Sequence, residues 1–87
     1  TGMCRSLALE LAPRIRVNCV SPAMVETEMM DTIRDTMTPE QFQALEAAHP
    51  LGFGRPADVA NAIAFLIADS SRWITGTNLI VDGGFSA

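Results

Sequence analysis

The sequence predicts an α/β fold built on parallel strands, and three observations lead there. Two short, largely apolar runs, Ile15-Arg16-Val17-Asn18-Cys19-Val20 and Asn78-Leu79-Ile80-Val81-Asp82, have the β-branched composition of strands. Between them lie two helix-start signatures, Thr38-Pro39 and Arg55-Pro56, so the connection is long and helical. A strand, a helical crossover and a second strand is the pattern of parallel pairing.

Met3, Cys4, Leu7, Ala8 and Leu11 recur at helical spacing, and Pro13 stops the pattern, which predicts a helix over residues 1–12, already under way at Thr1. Residues 15–20 read as a strand covered on both faces, closed by Pro22. Asn18 is its main polar interruption; a polar group in a covered strand needs a partner, so Asn18 is expected to brace neighbouring backbone. Thr27 to Thr36 has helical composition with Met29, Met30 and Ile33 as its apolar set, and predicts a short, mobile helix. Thr38 is the expected N-cap of a helix running to about Ala48, with Pro39 in the first position and Gln41 reaching back to the cap.

The prolines and glycines from His49 to Pro56 predict a loop. His49 has no carboxylate or nucleophile at readable spacing, and is expected to be solvent-exposed. Residues 56–68 form the next helix. Val59, Ile63, Leu66 and Ile67 face one way and Ala62 and Phe65 the other, so two surfaces need cover: the sheet and a second subunit. Arg55 and Asp58 are expected to pair at the helix start, and Trp73 to cover a helix end. The second strand, 78–82, opens after Thr75-Gly76-Thr77 and closes at Gly83-Gly84, where Asp82 is expected to form a turn.

Two strands leave unpaired backbone at both sheet edges, and 87 residues bury only a modest share of their surface. The segment is therefore expected to complete a larger sheet whose other strands lie elsewhere. A net charge of −4, with six arginines scattered from Arg5 to Arg72, speaks against nucleic-acid binding. No apolar run approaches the roughly 18 to 20 residues that cross a bilayer. Cys4 and Cys19 form no CxxC motif and His49 is the sole imidazole, so zinc spacing is absent and two reduced, buried thiols of a cytoplasmic protein are expected. In open α/β sheets ligands sit beyond the carboxyl ends of the strands, which points to the loop over residues 21–27.

Five blocks in order, Ser6-Leu7-Ala8-Leu9-Glu10-Leu11-Ala12-Pro13, Ile15-Arg16-Val17-Asn18 running into Ser21-Pro22, Arg55-Pro56-Ala57-Asp58-Val59-Ala60, Ile74-Thr75-Gly76 and Val81-Asp82-Gly83-Gly84, span the chain. Together they resemble the C-terminal part of the short-chain dehydrogenase/reductase family, in the branch that includes 3-oxoacyl-acyl-carrier-protein reductases. The resemblance implies an α/β fold, the C-terminal part of a doubly wound Rossmann-type parallel sheet with two strands plus helices. It also implies hydride transfer between NAD or NADP and a small-molecule carbonyl or secondary alcohol. The partners it implies are the N-terminal part of the same protein and further copies in a dimer or tetramer.

By the same resemblance, residues 21–27 are the nicotinamide-side loop and 28–55 the substrate lid. Pro22 packs near the ring, Ala23 stands where the family usually has glycine, and Val25 and Thr27 contact the carboxamide. Thr27 also suits the N-cap of the following helix, and both roles can coexist. Met24, Met29 and Met30 are candidate substrate contacts, flexible and polarisable, with ordinary core filling the alternative. The family's catalytic Ser and Tyr-x-x-x-Lys would precede Thr1. A phenol moves the proton there and a nearby cation lowers its pKa; this chain has no tyrosine and no lysine, so no catalytic residue is assigned in it. A non-catalytic, truncated relative that serves as an assembly module remains the alternative.

Overall fold

The computed structural model describes residues 2–87; the helical state expected of Thr1 lies outside the described residues. Helix α1 (Gly2–Leu11) leads to strand β1 (Cys19–Pro22), then α2 (Glu28–Thr36), α3 (Pro39–Ala47), α4 (Pro56–Ile67), a 3-10 turn (Asp69–Ser71) and strand β2 (Asn78–Val81). The two strands pair in parallel, with Cys19 opposite Asn78 and Pro22 opposite Val81.

Strand β1 begins four residues later than its apolar run and includes Pro22 rather than stopping before it. The displacement has a physical cause. Residues 15–18 spend their polar groups on the segment just before β2. Val17 N–H donates to Thr75 Oγ1 at 3.0 Å, and Val17 C=O accepts from Gly76 N–H at 2.7 Å. Asn18 braces both ends of this segment, its Nδ2 donating to Ile74 O at 3.2 Å and its Oδ1 accepting from Thr77 N–H at 3.1 Å. Pro22 is tolerated because it ends the ladder, where a missing donor costs little. Ser21 and Pro22 are exposed, so β1 is not covered on both faces along its length. Strand β2 stops at Val81, one residue short of the expected end, because the Asp82 side chain turns to cap the tail.

Helix α3 starts with the reciprocal Thr38–Gln41 box: Gln41 N–H donates to Thr38 Oγ1 at 3.1 Å and Thr38 N–H to Gln41 Oε1 at 3.0 Å. At the start of α4, Asp58 accepts from the Arg55 backbone N–H at 2.7 Å, so the pair meets through the main chain rather than through the guanidinium. The end of α4 is closed by distant residues. Arg16 donates to Ile74 O at 3.0 Å and to Ala68 O at 3.4 Å, while buried Ser71 donates to Leu66 O at 2.8 Å and Ala68 O at 2.9 Å. A cation at a helix C-terminus also suits the helix dipole.

The inward side of α4 is Val59, Ala62 and Leu66, which moves Ala62 from the outer to the inner face, whereas Ile63, Phe65 and Ile67 remain exposed. Ile63 and Ile67, with Arg16, Asn18 and Val20, border a groove between β1 and α4. Trp73 covers no helix end: it is 93 % exposed. A compact chain of this length has a radius of gyration of about 12 Å. This one has 15.9 Å and extends 50 × 23 × 23 Å. Its buried apolar residues among those described are Cys4, Ala8, Met30 and Leu66, too few for a self-sufficient core.

Asn18→Ala in the full-length protein should remove both braces and cost about 1–3 kcal/mol of stability, read as a lower denaturation midpoint. A change below about 0.5 kcal/mol, the ordinary range for surface substitutions, would show that Asn18 does not hold the two segments together.

Candidate functional site

Parallel strands deliver their carboxyl ends to the same edge, so the loops after Pro22 and Val81 lie side by side. The first of these loops is tied to the chain before α4 by a short parallel bridge between Val25 and Gly54. Gly54 N–H donates to Met24 O at 3.0 Å, and Glu26 N–H donates to Gly54 O at 2.8 Å. The bridge uses the groups on either side of Val25, so Val25's own N–H and C=O point the other way, available to a further partner.

A cavity of about 440 Å³ opens against this bridge, bordered by Met24, Val25, Phe53, Asp58, Val81 and Asp82. Both of its carboxylates are committed to local backbone. Asp58 accepts from Arg55 N–H. Asp82 accepts from Gly84 N–H at 3.0 Å, Ser86 N–H at 3.0 Å and the Ser86 hydroxyl at 2.6 Å. The Ser86 hydroxyl, then the backbone donors, hold the Asp82 carboxyl below the usual carboxylate range, against an opposing contribution from burial. These acids shape turns and leave the cavity without a free proton carrier.

Thr27 opens α2 from the N-cap position, but its hydroxyl makes no capping bond; its carbonyl accepts from Met30 N–H at 3.0 Å and Asp31 N–H at 3.4 Å. Thr27, Glu26, Glu28, Met30 and Arg34 border a second groove. The structure thus separates the residues singled out from the sequence. Met24 and Val25 lie on the first cavity and Thr27 and Met30 on the second groove. Pro22 is an exposed strand end, and Ala23 is half-buried and borders neither concavity. Met29 and Met30, adjacent in sequence, part company: Met29 is 73 % exposed, whereas Met30 is 2 % exposed.

The largest departure from the sequence reading is His49. Expected in solvent, it is 3 % exposed. Its ring stacks on Phe85 with centroids 4.5 Å apart and meets the edge of Phe53 at 5.2 Å; Phe53 in turn meets Phe42 at 5.3 Å. Nδ1 lies 2.9 Å from the Leu45 carbonyl, which can only accept, so the proton sits on Nδ1; buried Nε2 has no partner among the described residues. The ring is a packing element that fastens the end of α3 and the following loop to the C-terminal tail.

Leu51 N–H donates to Gly83 O at 2.9 Å beside it. Gly84 has φ +92°, and a Cβ there would meet Pro50 Cγ at 3.0 Å, so only glycine fits. The sequence carried one signal for this cluster: Phe85 directly follows the two glycines, placing an apolar ring where the chain turns back.

Residues 1–86 match a family model described as Enoyl-(Acyl carrier protein) reductase. The chain belongs to the short-chain dehydrogenase/reductase family. It is 45 % identical over 85 residues to the 3-oxoacyl-[acyl-carrier-protein] reductase FabG of Rickettsia bellii, a match covering 95 % of this chain and 34 % of that protein. Among solved structures it is similar to the aldohexose dehydrogenase of Thermoplasma acidophilum in ligand-free form, with a TM-score of 0.84 and 35 % identity over 98 % of this chain and 36 % of that one. It is also similar to a 4-hydroxyisoleucine dehydrogenase complexed with NADH, with a TM-score of 0.86 and 31 % identity over 98 % of this chain and 35 % of that one. The chain spans about a third of the length of these short-chain dehydrogenase/reductase relatives. Its two parallel strands and helices fit the α/β fold class expected for the family.

The Asp82 turn makes a prediction with a definite sign. A carboxyl whose folded pKa lies below its unfolded value of about 3.9 adds stability above that pH and loses it as pH falls through the folded value. In the full-length protein the Asp82 carboxyl carbon should titrate by NMR with a midpoint below about 3.9, and Ser86→Ala should move the midpoint up. A wild-type midpoint at or above the ordinary value would contradict the hydrogen-bonded turn.

Proposed function

We propose that this segment is the cofactor-loop, lid and assembly portion of an NAD(P)-dependent oxidoreductase. The full protein transfers hydride between a nicotinamide and a small carbonyl or secondary alcohol. The observation that carries this reading is the loop beyond β1, where Val25 turns its peptide groups away from the Gly54 bridge and Thr27 has a hydroxyl unused by its own helix. These are the groups that a carboxamide, with one acceptor and two donors, requires. The bound nicotinamide supplies the hydride.

This chain's residues hold and enclose. Val25 and Thr27 orient the carboxamide, and Pro22 and Ala23 shape the approach to the ring. Met24 and Met29 supply adaptable apolar surface toward the substrate, while Met30, 2 % exposed, takes the core-filling alternative. Residues 28–55 act as the lid. The His49–Phe85 stack gives the lid a fixed base, so closure moves α2 and α3 about an anchored end.

Proton transfer comes from outside the segment. Asp58 and Asp82 are engaged by backbone donors, and the chain has neither tyrosine nor lysine. The R. bellii relative is named as a 3-oxoacyl-[acyl-carrier-protein] reductase, which supports a 3-oxoacyl thioester as the carbonyl substrate and a cytoplasmic setting. No helix among the described residues is long and apolar enough to cross a membrane.

The groove between β1 and α4 receives the remaining strands of the same protein. The exposed Phe65 and Ile80 meet a second copy, in a dimer or tetramer.

Thr27→Ala in the full-length protein should raise the KM for the dinucleotide about 3- to 10-fold, the worth of one neutral hydrogen bond, while stability changes little; an unchanged KM would remove Thr27 from the site. The full-length protein should reduce a 3-oxoacyl thioester and sediment as a dimer or tetramer, and the isolated 87-residue segment should show no turnover with NADH or NADPH. Turnover by the pure segment would refute the assignment of chemistry elsewhere, and a monomeric, active full-length protein would refute the assembly role.

A further inference from the structure

Every polar group of buried His49 is engaged except one. Its backbone N–H donates to Glu46 O at 3.0 Å, its carbonyl accepts from Gly52 N–H at 2.8 Å, and its Nδ1 donates to Leu45 O at 2.9 Å. Leu45 lies in the last turn of α3, where carbonyls lack intrahelical donors, and the imidazole supplies the missing one. Nε2 is enclosed without a partner among the described residues. Around the ring, Phe85 stacks at 4.5 Å and Phe53 meets it edge-on at 5.2 Å. These contacts are internal to residues 42–85, so further structure packed against them can only deepen the burial.

This packing admits one protonation state. The neutral ring carries its proton on Nδ1 and leaves Nε2 a plain acceptor. A second proton would make Nε2 a buried, charged donor without an acceptor, which is far more costly. The C-terminal end of α3 favours a cation, but that is the smaller effect where a charge is buried without a counter-ion. The charged groups on the elements packed around the ring are Glu46 on α3, Arg55 and Asp58 beyond the loop, and Asp82 before the tail. Arg34 of α2 lies over Phe42 and pairs with Asp31. Among the described residues none of these groups forms an ion pair with His49, and Asp58 and Asp82 are held by backbone donors.

We propose that His49 is a pH-sensitive fastener between the end of α3 and the C-terminal tail. The neutral ring ties Leu45 to Phe85, beside the Leu51–Gly83 hydrogen bond and the contact of Pro50 with Gly84. Protonation at Nε2, in the range between about pH 8 and 5 where imidazoles ordinarily change charge, moves the ring out of the aromatic packing into water and frees the tail. Attachment is therefore complete on the alkaline side and is lost as pH falls. Asp82 does not contribute over this range, because its carboxyl titrates below the usual carboxylate value and stays ionised. The fastening stands on the packing of the ring; its effect on turnover rests on the reading of residues 28–55 as a lid.

The test follows backbone hydrogen exchange of the full-length protein by mass spectrometry between about pH 8 and 5, each rate corrected for the intrinsic pH dependence of exchange. Below the ordinary imidazole value of about 6.5, protection of residues 45–54 and 83–87 should fall by about tenfold per pH unit, the slope of one proton taken up on opening. Helix α4 should keep its protection. His49→Phe retains an aromatic ring and cannot titrate, so its protection should not change with pH. Should that variant fail to fold, His49→Asn keeps a donor toward Leu45 O and serves in its place. Over the same range the KM for the carbonyl substrate should rise in the wild type relative to the variant.

Wild-type protection that ignores pH would overturn the proposal. So would an equal fall in the variant, or loss of protection in α4 at the same pH. A fall confined to the wild type with no difference in KM upholds the fastener and counts against the lid.

Discussion

Because β1 and β2 run parallel and in register from Cys19 against Asn78 to Pro22 against Val81, both strands end at the same edge, and every feature of the candidate site lies beyond it. The ladder is only four residues long, so it depends on what precedes it. Asn18 and Arg16 supply that support, reaching from the approach to β1 across to Ile74, Thr77 and Ala68. Side chains therefore fix the position of the strands, and the strands fix the loops. A slip of one residue would send the Met24–Gly54 bridge and the Val81–Gly83 turn out of contact.

A second constraint holds the far end of the site. The chain between α3 and α4 returns to the C-terminal tail through Leu51 and Gly83, through Pro50 lying against Gly84, and through His49 stacked on Phe85. Helices α2 and α3 project from this anchor, Arg34 of α2 resting over the ring of Phe42 in α3 at 4.8 Å. The end of α3 and the loop after it are thus held by aromatic and backbone contacts, while Met29 and Thr27 lie exposed around the start of α2.

The same geometry explains why the segment exposes so much apolar surface. Ile63, Phe65, Ile67 and Ile80 lie on the flanks of α4 and β2, where only two strands are available to cover them. Hydrophobic side chains at these positions lose their free-energy gain unless neighbouring structure removes them from water. The elongated shape expresses the same deficit. The family's remaining length, about two thirds in the relatives compared, is where that cover is expected.

Local chemistry made much of this legible in the sequence. The Thr38–Gln41 box, the turn-forming role of Asp82 and the bracing role of Asn18 each depend on residue type and short spacing, and each could be read without coordinates. The five motif blocks likewise carried the family and the fold class. What the sequence left undetermined depended on contacts between distant segments. Residues 15–18 look like strand, yet their hydrogen bonds go to residues 74–77, which delays β1 to Cys19. His49 looks like an exposed loop residue because the ring that covers it, Phe85, lies far along the chain. The separation of Met24 from Thr27 onto different concavities was decided in the same way. Propensity and capping act over a few residues, whereas burial and pairing depend on which remote segments the ladder brings together, and that was settled only in three dimensions.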